Sequence, residues 1–244
     1  MRLAASCAGW AIAAAFLAAA SSALAGSLEV APTTLMLRQD GATGVLYVNN
    51  YGDTPVTVQV EPFDWNQSDG SDRLISSNAL MVSPPIATIP AEGRQTVRVM
   101  VAPAAAAGER SFRLLISELP DSMKRAEHVI QVLTQFSVPV FAAGVGDGSG
   151  LAKPAWSATL SKGQLNLIAR NDGPKHLKLT GLQLNTARGE TLAIRGAGLS
   201  YVLAGSSRGW IASCARCTAG DTIHVGGSNE TAGARFDESL VIGH

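Results

Sequence analysis

From Ser27 onward, apolar residues recur at nearly every second position, the period of a strand that buries one face. Val45 and Tyr47 alternate with Leu46 and Val48. After the turn Asn50-Tyr51-Gly52-Asp53, Val56, Val58 and Val60 alternate with Thr57 and Gln59, which predicts an antiparallel pair. The same period returns at Val97, Val99 and Val101, at Phe112, Leu114 and Ile116, and at Ile130, Val132, Thr134 and Phe136. Turn signals separate these runs: Asp69-Gly70, Ser83-Pro84-Pro85, Glu92-Gly93 and Leu119-Pro120. Short strands spaced in this way predict an all-β antiparallel sandwich or barrel. The one alanine run, residues 104–107, lies between Pro103 and Gly108 and is too short for a stable helix.

The first 25 residues break the pattern. Arg2 precedes an apolar, alanine-rich run, and Ala23-Leu24-Ala25 ends it with small residues at the two positions a signal peptidase reads. The run is not a clean membrane span. A cleaved signal peptide over 1–25 is expected, hence an exported chain; no later segment has the length and apolarity for membrane insertion. The remainder suits two domains of ordinary size. Glycine is concentrated between Gly144 and Gly150, and glycine gives a bendable connection. The expected division is therefore 26–144, a linker over 145–150, and 151–244. Beyond the linker the β pattern resumes at Leu165 and Leu167, Leu177 and Leu179, Tyr201-Val202-Leu203 and Trp210-Ile211.

Charge excludes several functions. The whole chain carries 19 basic and 19 acidic residues; loss of Arg2 leaves 18 against 19. With no basic stripe, neither nucleic acid nor an anionic membrane is an expected partner. No nucleotide partner is expected either, since Gly144-Val145-Gly146-Asp147-Gly148 lacks the Lys-Ser/Thr ending of a phosphate loop. His128, His176, His224 and His244 show no ligand spacing, so no metal is predicted, and no Gly-x-Ser-x-Gly marks a nucleophile. The expectation is a protein without cofactor and without catalytic residues. Cys7 leaves with the signal, and Cys214 and Cys217 read as one disulfide of an exported chain. A redox Cys-x-x-Cys pair and a metal site are the alternatives.

Four segments in order resemble the PapD-type pilus chaperone family: Val82-Ser83-Pro84-Pro85-Ile86 with Ile89-Pro90 and Gly93; Gln95-Thr96-Val97-Arg98-Val99; Glu109 through Pro120; and the strand ending Phe136-Ser137-Val138-Pro139-Val140-Phe141. Phe63-Asp64-Trp65-Asn66-Gln67, Ser137 through Phe141 and Tyr201-Val202-Leu203 are further similar to its archaic, Csu-like branch. The resemblance implies two immunoglobulin-like β-sandwich domains at an angle, with a cleft between them. It implies a periplasmic chaperone that holds pilus or fimbrial subunits by lending them a strand and passes them to an outer-membrane usher. The alternative is an exported two-domain binding or adhesion accessory protein.

On residues alone, the stretch 129–138 is an ordinary core strand. The resemblance makes it the donor strand, with Ile130, Val132, Thr134 and Phe136 entering the subunit's groove. Burying the three largest of these side chains corresponds to about 5–9 kcal/mol before ordering costs. Family members hold the subunit's terminal carboxylate with an Arg and a Lys; the matching positions here are Thr34 and Ser137, which are possible weaker cleft contacts. Arg98 and Glu109 match a basic and an acidic residue that brace the interdomain angle, although they also read as surface charges on facing strands. Phe141 stands where a third member of that brace is an Arg.

Overall fold

The computed structural model describes residues 28–38, 43–103, 108–120, 132–144 and 154–244. The expected signal peptide, the 145–150 linker and Ile130 lie outside the described residues.

The first half contains β1 (Leu28–Ala31), β2 (Leu35–Leu37), β3 (Thr43–Asn50), β4 (Val56–Ser68), β5 (Ser71–Ser76), β6 (Leu80–Ser83), β7 (Ile86–Ile89), β8 (Arg94–Val101), β9 (Arg110–Glu118) and β10 (Gln135–Ala142). One sheet runs β1-β3-β8-β6; the other runs β2-β10-β9-β4-β5, with β7 also on β4. The alternation explains the sandwich. Leu46 and Val48 of β3, Val97, Val99 and Val101 of β8, and Phe112, Leu114 and Ile116 of β9 all point into one buried core. A one-residue slip would send each set to water.

The second half contains β11 (Ala155–Ser161), β12 (Gln164–Arg170), β13 (Leu177–Thr186), β14 (Thr191–Leu192), β15 (Ser200–Val202), β16 (Ser207–Ser213), β17 (Thr222–Asn229) and β18 (Ala234–Val241). Its sheets are β11-β12-β16 and β14-β13-β17-β18, with β15 on β13. Leu165, Leu167, Leu179, Leu184, Ile223 and Val225 fill a second, separate core. The protein is therefore all-β, with two immunoglobulin-like sandwiches set at an angle.

Each half repeats one polar device. The buried Asn50 amide donates to the carbonyls of Thr54, Ile89 and Pro90 and accepts from the Gly52 N–H. Asn171 does the same with Lys175, Val202, Leu203 and Gly173. A buried amide with donors and acceptors both used fixes the turn that follows its strand. Among the described residues no helix is long and apolar enough to cross a membrane.

Candidate functional site

Of the candidate donor residues only Phe136 belongs to β10 (Gln135–Ala142). Val132, Leu133 and Thr134 form no strand, and Val132 is 82% exposed. The pairing with β9 explains why. Gln135 stands opposite Ser117, so Val132 would stand opposite Pro120, which has no N–H to donate. The last ties are the Glu118 N–H to the Thr134 carbonyl at 2.9 Å and the Thr134 N–H to Glu118 Oε2 at 3.2 Å. Beyond them the segment has outrun its neighbour.

Within β10 the faces are sharply divided. Val138, Val140 and Ala142 are buried in the first core, and Phe136 is half-buried against its margin. Phe136 thus shares the face of β10 that packs into the protein's own first core. The edge is the more informative feature. β9 pairs with all of Gln135–Ala142, whereas β2 covers the opposite side only at Val140, Phe141 and Ala142. From Gln135 to Pro139 that second side meets no strand among the described residues. An open edge offers unpaired backbone groups to a guest strand. Thr34, half-buried just before β2, and Ser137, exposed on β10, flank the point where cover by β2 stops.

The other face of β10 looks toward the second half. Phe141 is fully buried there, with Trp65, Tyr201 and Leu203, in a cluster distinct from either core. Trp65 meets Tyr201 edge-on with centroids 5.4 Å apart. The His176 ring stacks on Phe141 at 3.5 Å and 9°. The first half brings Trp65 of β4 and Phe141 of β10 to this point, the second half brings Tyr201, and the two halves bury these rings against each other.

Polar groups close the junction. Gln67 uses its side-chain amide as a strand would, donating to the Tyr201 carbonyl at 2.8 Å and accepting from the Leu203 N–H at 2.9 Å. Asp72 accepts from Trp65 Nε1, Gln67 Nε2 and, at 2.6 Å, Arg208 Nη1. Burial alone would raise the Asp72 carboxyl, but the Gln67, Arg208 and Trp65 donors outweigh it and hold its pKa below the usual value. Arg113 lies over Trp65 with its guanidinium carbon 3.8 Å from the ring centroid, and Nη1 donates to Ser137 Oγ at 3.1 Å. Burial pushes its pKa down, opposed by the attraction of Asp72.

The expected Arg98–Glu109 brace is not formed. Arg98 is on β8, where it stands opposite Val45 and Ser83 on the exposed side of the other sheet. Glu109, just before β9, instead accepts from the His176 N–H at 2.9 Å and pairs with His176 Nδ1 at 2.7 Å, both side chains being under 10% exposed. His176, which its sequence spacing did not single out, is thus the partner of Glu109, and Phe141 joins it by stacking rather than by charge. Asp72, Arg208 and Gln67 were likewise missed, because the contacts that tie them to the other half join residues more than a hundred positions apart, and Arg113 because its partners Trp65 and Ser137 lie on other strands. The only sequence signal was that Phe63 to Gln67 and Tyr201 to Leu203 carried family-like motifs; the structure brings these two segments together. Cys214 and Cys217 are joined in a disulfide, with Cys214 buried in the second core.

Residues 27–143 match the family model described as "Pili and flagellar-assembly chaperone, PapD N-terminal domain". This segment, just under half of the chain, is similar to the N-terminal domain of PapD-type chaperones. The fold of the whole chain is that of solved PapD-like chaperone structures. An Acinetobacter baumannii CsuC–CsuE chaperone–tip adhesion subunit pre-assembly complex from archaic Csu pili matches with TM-score 0.67 and 24% identity over 90% of this chain and 100% of that one. The Pseudomonas aeruginosa CupB2 chaperone gives 0.57 and 15% over 88% and 100%. The Salmonella enterica SafA pilin in complex with the SafB chaperone gives 0.58 and 14% over 89% and 97%. No curated protein sequence matches the chain.

Proposed function

We propose that this chain is a periplasmic chaperone of the chaperone–usher pathway, of the archaic branch, exported by cleavage after Ala25. It binds and caps pilus or fimbrial subunits by donor-strand complementation and delivers them to an outer-membrane usher. Its working units are a chaperone domain over 26–144, a glycine-rich linker over 145–150 and a second sandwich over 151–244. The single observation that carries the reading is the half-open edge of β10. A subunit lacking one strand of its sandwich needs both backbone partners and apolar side chains, and an edge strand with one free side supplies both.

In this reading Ile130, Val132, Thr134 and Phe136 occupy the guest's groove, and Val132–Thr134 become strand when the guest pairs with them. Thr34 and Ser137 contact the end of the guest chain. Neither is charged, and Arg113, hydrogen-bonded to Ser137 beside the open edge, is the nearby cation for a carboxylate there. The Phe141–His176–Glu109 contact replaces the charged brace and holds the angle of the cleft.

Replacing Phe136 with Asp tests the proposal. The side chain is half-buried against its own core, so the variant folds with a modest loss of stability and no longer co-purifies with its subunit. Retention of subunit at wild-type yield by both Phe136→Asp and Ile130→Asp would refute the donor-strand assignment.

A further inference from the structure

The register of the β1-β3-β8-β6 sheet lays its outer face out as a grid. One row holds Met81, Met100 and Thr43; the next holds Ser83, Arg98 and Val45; then come Thr96, Tyr47 and Ala31; the last holds Arg94, Asn49 and Glu29. Met81, Met100, Val45 and Tyr47 are each 38–45% exposed, in adjoining positions. Such neighbours differ from single apolar residues scattered on a surface.

Arg98 stands in the middle of them. Its neighbours along and across the strands are Met100, Thr96, Val45 and Ser83, none acidic, and it forms no ion pair among the described residues. Arg94 is held differently, donating to Asn49 Oδ1 at 2.7 Å and lying 5.2 Å from the Tyr47 ring centroid. The one carboxylate of the grid, Glu29, is two strands and two rows from Arg98. At strand and residue spacings that is about 17 Å, beyond the roughly 8 Å over which salt leaves a surface charge visible. Methionine, tyrosine and arginine are also the residues enriched where proteins dock.

We infer that this face docks a second protein, which sets a carboxylate on Arg98 between aliphatic or aromatic side chains that cover Met81, Met100, Val45 and Tyr47. The surface is on the sheet that does not contain β10, so the docking is separate from guest capture. Its size sets the kind of complex. Four rows of three residues cover about 400 Å², less than the roughly 800 Å² per partner of a stable interface. The contact is therefore transient.

The test places a benzophenone side chain at Val45 of the full chain in its native cells, cross-links by light, and identifies the joined peptide by mass spectrometry. The expected product joins Val45 to a segment of a different protein that carries Asp or Glu beside apolar residues. Arg98→Glu should lower its yield about tenfold or more, and Arg98→Lys should retain most of it. Exchanging the partner's acid for Lys should restore the product with Arg98→Glu. The product should persist in Phe136→Asp, which separates this inference from the function proposed above. No product, a second copy of this chain, a segment without an acid, or a yield indifferent to Arg98→Glu would each overturn the inference.

Discussion

Replacing Asp72 with Asn keeps the shape of the side chain and removes its charge, at the point where the β4–β5 hairpin reaches the second half. Asp72 Oδ2 accepts from Arg208 at 2.6 Å, with the two side chains 35% and 23% exposed, and Oδ1 accepts from Trp65 and Gln67. Charge-assisted bonds contribute about 1.5–3 kcal/mol when well buried, and partial exposure reduces that toward the surface value. Asn can still accept at Oδ1, but it turns an amide donor or a neutral oxygen toward Arg208. The expected loss at neutral pH is about 1–2 kcal/mol. The sign with pH follows from the depressed Asp72 pKa. A carboxyl whose folded pKa lies below its unfolded value of 3.8 stabilises above that value and loses its contribution as pH falls through the folded pKa. Urea unfolding of wild type and Asp72→Asn between neutral pH and the acid limit measures this. The two curves should be separated at pH 7 and converge as the medium is acidified below pH 3.8. Equal stability at pH 7, or a difference that persists unchanged below the folded pKa, would refute the role given to the Asp72 charge.

Other variants probe the remaining contacts. Arg113→Ala should lower subunit retention more than Thr34→Ala, since only the first removes a cation beside Ser137; equal, mild effects in a co-purification assay would remove Arg113 from the guest site. Exchanging Cys214 and Cys217 for Ala opens a loop with a sequence separation of only 3. Loop entropy sets that loss at about 2 kcal/mol, read as a lower urea midpoint with subunit capture unchanged. Loss of capture with no change in stability would instead point to a redox role.

Much of the fold was legible because it depends on local pattern. Val97, Val99 and Val101 had to share a face whatever they packed against, and Pro120 had to end a ladder wherever its partner lay. The donor segment shows where such reasoning stops. Its alternation runs through Ile130, Val132 and Thr134, yet β10 begins at Gln135, because a strand also needs a neighbour and β9 gives out at Glu118. Arg98 and Glu109 show the same limit in charge: their types suggested a pair, but Arg98 lies in one sheet and Glu109 leads into a strand of the other.

The sequence by itself determined the all-β class, the turns, the close cysteine pair and the absence of a charge stripe, since each rests on neighbouring residues or on simple counts. Tertiary structure alone decided that β2 leaves half of β10 uncovered, that Glu109 finds His176, and that Trp65, Phe141 and Tyr201 meet between the halves. Those are choices of partner across sixty or more residues of chain, and an amino acid's type limits such a choice without making it.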